Sequence, residues 1–321
     1  MPPALRQSLT LIGFAAIAAG FAIALPDTFP TARNLINIAQ QSAMLMVVAA
    51  AMTIVMAMGD FDLSVGSMAS LAGVTAAVLF AGGAPVWAGV AAALAVGIAG
   101  GVLNGVLVAV VGILPFVATL GTLTIFSGAA FIVSGGRTIF GRAIPAPFTD
   151  FARAGIPLDA LGLAGLRLPW LALTAAAVVA LVWVVMERRR FGRHLYAMGG
   201  NPEAARLAGI PVVRLRIAAF ALAGLGAAGA GLMLAARVAS ANPTQGAGLM
   251  LDAIAAVFLG MTMTRGGEPR VLATAAGVAV LAVLGNGLTQ LRVDSYVREV
   301  LTGAIVLAAV AFATVGRRGR P

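Results

Sequence analysis

The sequence predicts an all-α polytopic membrane protein with about ten transmembrane helices. Three observations carry this. The 321 residues are 61% hydrophobic and only 10% charged, against about 45–50% and about 25% in ordinary soluble domains. Mean hydropathy is +1.02, and the apolar excess recurs from Thr10 to Val315 instead of forming one tail. Each apolar run far exceeds the ~9–11 residues of a membrane β-strand, so the spans are helical. The chain reads as a single transmembrane domain over 1–321.

A span needs roughly 20 apolar residues, and the candidates follow in order. The first is 8–25, after Arg6. Its apolar stretch, Leu9–Leu25, outruns the ~7–15 residues of a cleaved signal, so it reads as a retained span. Next come 39–58 and 62–80. They are separated at Gly59–Phe61, because one helix through both would be too long. Spans 86–111 and 115–134 follow. Segment 135–167 holds Pro145, Pro147, Pro157 and mixed charge, and reads as an outer loop. It is either an amphipathic turn on the membrane face or a simple connector. Spans 168–186 and 215–236 flank a cytoplasmic loop over 187–214. Candidate 250–263 is short, and is read as half-inserted or buried among its neighbours. Candidates 271–288 and 296–314 complete the ten.

All 21 basic residues are arginines. With both termini in the cytoplasm, 13 of the 21 fall inside: Arg6, Arg188, Arg189, Arg190, Arg193, Arg206, Arg214, Arg216, Arg265, Arg270, Arg317, Arg318 and Arg320. Several of the rest lie in the long 135–167 loop, where charge counts for less. The pI near 11.7 is therefore read as membrane orientation and not as nucleic-acid binding. A short echo links "LNGVL" at Leu103–Leu107 to "GNGL" at Gly285–Leu288, an offset of about 180. On the span count the two helices run in opposite directions, which makes an inverted internal repeat a candidate.

Several chemistries are excluded. There is no cysteine, hence no disulfide or thiolate site. The one histidine, His194, reads as a loop residue and not as a metal ligand. A phosphate-binding P-loop needs a lysine, and none exists here, so ATP must be bound by another chain. No cofactor, metal or catalytic residue is expected. An intramembrane aspartyl protease would pair Asp60 or Asp62 with Asp252, but "AMGDFD" carries Ala57 where such proteases favour glycine. The more serious rival is an ion-coupled secondary transporter using Asp62 and Asp252 as proton or sodium sites.

The loop "FGRHLYAMGGNPEAARLAGIPVV", Phe191–Val213, predicts a short helix. Gly200 ends a turn, Asn201 caps, and Pro202 suits the first helical position. Glu203 lies at the positive end of the dipole. Ala204, Ala205 and Ala208 give a small-faced surface beside Arg206 and Leu207. Gly209 stops the helix and Pro211 prevents its renewal. Two turns alone are marginal in water. Docking into a groove on another protein and an ordinary capped loop helix are both consistent with this.

That stretch resembles the coupling helix of permease subunits of ATP-binding-cassette importers. Four segments together resemble the ribose/xylose-type sugar permeases: "GDFDLSVGSMASLAG" at Gly59–Gly73, "LPFVATLGTLTIFSGAAFIVSGG" at Leu114–Gly136, "GRHLYAMGGNPEAARLAGIPV" at Gly192–Val212, and "LDAIAAVFLGMTMTRGGEPRVLATAAGV" at Leu251–Val278. The likeness runs, with gaps, over nearly the whole chain. It implies a multi-pass inner-membrane protein, not itself an enzyme, in a dimer with an identical or paralogous permease. It implies a cytoplasmic ATPase and a periplasmic sugar-binding protein as partners. The chain departs from the family at Asp60, where glycine is usual, at Phe61, where an Ile-like residue is usual, and at Met261, where glycine is usual. "GGEPR" at Gly266–Arg270 stands where "GGKGR"-like sequence is common. Related permeases also carry furanosyl signalling molecules, and more distant ones branched-chain amino acids.

Asp62, Ser64, Gly66 and Ser67 are read as a gate or helix cap, with the Asp62 carboxylate accepting from the backbone of Ser64 or Val65. Asp60 is read as a solvated turn residue. Asn104, Thr119, Asn286 and Gln290 are candidates for a neutral-sugar path, because amides and hydroxyls match sugar hydroxyls. Each could equally make an interhelical hydrogen bond. Asp252 is either a sugar ligand or the partner of Arg237, Arg292 or Arg298.

Overall fold

A bilayer offers no water to backbone N–H and C=O groups, so a chain this apolar must satisfy them within helices. The computed structural model describes residues 3–311 except 265, 298, 302, 305, 306 and 308–310, with side chains described from residue 12 onward other than 161. The first half runs α1 Pro3–Ala24, α2 Ala32–Ala57, α3 Val65–Ala81, α4 Val86–Ala109 and α5 Pro115–Ser134. Among the described residues, six helices are long and apolar enough to cross a membrane, and three more apolar helices are shorter. The span expected at 296–314, and Arg265, Arg298, Arg317, Arg318 and Arg320, lie wholly or largely outside the described residues.

Several boundaries shift by three to seven residues from expectation, and those on either side of Gly59 bear on the site. Helix α2 begins seven residues before the expected 39, because Thr31 caps it through a side-chain bond from Asn34 N. Helix α3 begins at Val65 and not at 62, so both Asp60 and Asp62 lie in a non-helical break.

The 135–167 segment is more than a connector. It contains β1 Ile139–Phe140, α6 Ala146–Arg153, β2 Gly155–Pro157 and β3 Arg167–Pro169. Strands β2 and β3 pair antiparallel. Helix α6 is amphipathic and buries Phe148, Thr149 and Ala152. Its Phe148 ring packs 5.0 Å from Phe80, and Gln40 Nε2 donates to the Ala152 carbonyl at 3.2 Å.

The second half comprises α7 Trp170–Trp183, a wide π turn at Val184–Arg188, α8 Arg190–Gly200, α9 Pro202–Leu207, α10 Val212–Val238, β4 Ser240–Ala241, α11 Ala247–Thr262 and α12 Val271–Gln290. Strand β4 pairs with β1, closing this end of the bundle. Helix α10 is the hub, packed on α2, α3 and α4. Its contact with α4 is backbone on backbone. Gly97, Gly101 and Gly105 recur every fourth residue, and a Cβ on any of them would overlap Gly224, Phe220 or Ile217 of α10. Small residues at this spacing let membrane helices approach closely where no hydrophobic force drives them together.

Helix α11 has 16 residues, about 24 Å at 1.5 Å per residue, less than a ~30 Å hydrocarbon core. Its start is held inside the bundle: Gly246 N donates to Ser70 Oγ at 2.9 Å. The ends of α2, α3 and α4 at 57, 81 and 109 recur as the ends of α10, α11 and α12 at 238, 262 and 290, a constant displacement of 181.

Candidate functional site

Residues 58–64 leave helical geometry between α2 and α3. A buried break must find partners for its polar groups, and the side chains here supply them. Asp62 Oδ1 accepts from Ser64 N at 2.9 Å and from Ser64 Oγ at 2.6 Å. Asn104 Nδ2 donates to Ser64 Oγ at 2.8 Å and lies 3.4 Å from Asp62 Oδ1. Asn104 Oδ1 accepts from Thr122 Oγ1 at 2.7 Å. Thr119 Oγ1 bonds Pro115 O at 2.8 Å and reaches Phe61 O at 3.4 Å. None of Asp62, Ser64, Asn104, Thr119 and Thr122 is more than 2% exposed. The knot joins the break to α4 and α5, and leaving any member unpaired would carry the full desolvation cost of a buried polar group. Phe61 closes the other flank, its ring 6.1 Å from Phe258 of α11.

The expectation that Asp60 is a solvated turn residue is corrected. Asp60 is buried, with Arg216 Nε 2.8 Å from Oδ2 and Nη2 donating to Oδ1 at 3.3 Å. Arg216 lies in the second turn of α10. A carboxylate in this apolar setting needs a counter-charge, and the arginine reaches it by laying its aliphatic stem along the bundle. The two residues are 156 positions apart, so no local spacing announces the pair.

Helices α8 and α9 dock on the same end. Leu195 and Met198 of α8 and Ala205 of α9 share a core with Ala57, Met58 and Phe220. Gly199 lies against the last carbonyls of α2; a Cβ there would overlap Ala57 O. Tyr196 OH sits between Glu187 Oε1 at 3.1 Å and the Pro269 carbonyl at 3.0 Å. Burial, then the negative charge of Glu187, push its phenol well above the usual tyrosine range, so it stays a donor. Arg270 pairs with Glu187 and Glu268 and covers the Tyr196 ring at 4.5 Å. This cluster fixes α8 to the segment before α12.

Helix α9 itself is held by few contacts. Asn201 Oδ1 accepts from Ala204 N at 3.0 Å, with Pro202 in the first turn. Gly209 adopts φ +78° beyond its end. Every residue from Asn201 to Gly209 is exposed except Ala205. Leu207 is 86% exposed, an apolar side chain offered outward. The Glu203–Arg206 pair at 3.5 Å is about three-quarters exposed and adds little stability.

The five path candidates do not form one site. Asn104 and Thr119 belong to the Asp62 knot. Asn286 and Gln290 pair with each other on α12, Gln290 Nε2 donating at 2.8 Å. Asp252 is exposed on the second turn of α11. Ser67 Oγ donates to Ser64 O at 2.9 Å, and the Gly66 carbonyl meets the backbone of Gly246. Arg216, Gly199 and the Glu187–Tyr196–Arg270 cluster were absent from the expected site.

A family model described as "Branched-chain amino acid transport system / permease component" matches residues 34–310. The ribose import permease protein of Bacillus subtilis (strain 168) is 38% identical over 280 residues, covering 86% of this chain and 83% of that protein. The ribose import permease protein of Escherichia coli (strain K12) is 36% identical over 310 residues, covering 95% and 93%. The L-arabinose transport system permease protein of the same strain is 38% identical over 309 residues, covering 94% and 88%. No solved structure matches the chain.

Proposed function

We infer, from a chain that belongs to the branched-chain amino acid transport system permease-component family, that it is the membrane-spanning subunit of an ATP-driven importer for a monosaccharide. The named activities of the relatives, ribose import and L-arabinose transport, support the solute class. ATP is hydrolysed by a separate ATPase chain, and the solute arrives from a periplasmic binding protein. The protein resides in the inner membrane. We assign it ten spans with both termini in the cytoplasm, a second permease subunit, identical or paralogous, and surrounding lipid. The constant displacement of 181 between α2–α4 and α10–α12 supports an internal repeat, which is inverted on the ten-span assignment.

The observation that carries the mechanism is α9, exposed on every side but one and tied to the break by two routes. One is Gly199 against the end of α2. The other is Arg216, at the start of α10, on Asp60. Docking of the ATPase on Leu207 and its neighbours moves α8 and α10, and both end on residues 57–60. The Asp62–Ser64–Asn104–Thr122 knot then sets whether α3, α4 and α5 move together. A proton or sodium role for Asp62 and Asp252 is not favoured: Asp62 Oδ1 is already occupied by Ser64, and the relatives are import permeases. The test is reconstitution with the ATPase and binding protein in proteoliposomes, comparing the parent with Leu207→Asp. The reading expects Leu207→Asp to abolish ATPase co-purification and uptake together. Uptake that persists without the ATPase and follows a proton gradient would overturn it.

A further inference from the structure

We propose that the cavity between α3, α5 and the start of α11 is a resting site for a small neutral polyol in transit; this rests on the importer reading and adds a location to it. The cavity measures about 220 Å³. Sites for drug-sized ligands run to ~300–1,000 Å³, so the space suits one sugar ring. Leu63, Gly66 and Ser67 form one wall, Ser127 of α5 another, and Thr244 and Met250 the third. Among the described residues, no ionisable side chain lines it, so a charged solute would be desolvated without compensation.

The hydroxyls fit a ligand that both donates and accepts. Ser67 gives its proton to Ser64 O and Thr244 gives its own to Asn242 Oδ1 at 2.8 Å, so both offer lone pairs to the cavity. The Ser127 hydroxyl makes no hydrogen bond among the described residues and can donate. Leu63 and Met250 supply apolar surface for the C–H faces of a ring. Ser127 stands twelve residues after Pro115 in the 20-residue α5, about 18 Å along a helix of ~30 Å. The cavity is therefore near mid-depth, beside the point where α11 begins on Ser70. Leu63 and Gly66 continue directly from the Asp62–Ser64 knot, so a shift of the break changes the cavity wall.

The chain has no cysteine, so Ser127→Cys introduces a single thiol. The variant, assembled with the ATPase and binding protein in proteoliposomes, is assayed for D-ribose and L-arabinose uptake before and after a small methanethiosulfonate reagent. The proposal expects labelling to abolish uptake while ATP hydrolysis stimulated by the loaded binding protein continues. It expects Ser127→Ala to lower uptake about two- to tenfold, the loss of one neutral hydrogen bond. Should Ser127→Cys not assemble, Thr244→Cys probes the opposite wall in the same way. Labelled protein that transports like unlabelled protein overturns the cavity assignment. A parent complex that takes up neither sugar overturns the importer reading, and the assignment with it.

Discussion

Replacing Arg216 by leucine should destabilise the protein more than any comparable change at the arginine-rich end. Arg216 Nε stands 2.8 Å from Asp60 Oδ2, and the two side chains are 21% and 7% exposed. Removing one partner of a buried pair leaves an uncompensated charge, which costs ~3–5 kcal/mol. Asp60→Ala should cost less, because Arg216 retains partial access to solvent and can extend its head outward. The double variant Asp60→Ala/Arg216→Leu should recover part of the loss, since no charge is left buried. The expected coupling lies within the ~0.5–3 kcal/mol typical of contacting residues. Thermal melting and SDS unfolding of the purified subunit give the three differences. If both single variants unfold like the parent, and the double is additive within ~0.3–0.5 kcal/mol, the pair stabilises nothing and the argument for Asp60 as a buried anchor fails.

Gly199→Ala places a methyl on the Ala57 carbonyl and should push α8 off α2; ATP hydrolysis then runs with little uptake, measured as solute moved per ATP. Asn201→Ala removes the α9 cap and should cost about 1 kcal/mol, felt as weaker ATPase binding with an unchanged melting temperature of the isolated subunit. Asp62→Ala and Asn104→Ala break the same knot, so their effects on melting should be clearly sub-additive when combined. Gly101→Leu forces α4 away from Phe220 and should abolish folded expression, whereas leucine at Gly121, which has open space around it, should not.

The long apolar helices were legible because bilayer length and backbone satisfaction leave few options for long apolar runs. The α9 helix was legible because Asn201, Pro202 and Gly209 act through local geometry. Asp62 on Ser64 was also readable, being a two-residue contact. What escaped reading was set by tertiary distance. Asp60 reads as a solvated turn residue from sequence because its partner, Arg216, lies on α10. The short α11 could be seen to be short, but not that it starts beside Ser70. Gly199 looked like one glycine among 40, and only the packing of α8 on α2 gives it a reason. In 135–167, three prolines suggested a loop, while the Phe80 ring and the Gln40 amide that seat α6 lie on other helices.

The glycine contact between α4 and α10 has a mechanical consequence. With carbonyls of α10 pressed into the Gly97, Gly101 and Gly105 positions, α10 cannot rotate about its axis without driving a side chain into α4. Its remaining freedom is to slide or tilt as a rod. Twenty-seven residues at 1.5 Å each make that rod about 40 Å long, with the α9 elbow at one end and the β1–β4 pairing at the other. A displacement applied beside Pro211 is therefore carried along one helix toward Ser240, linking the α9 elbow to the β1–β4 pairing at the far end.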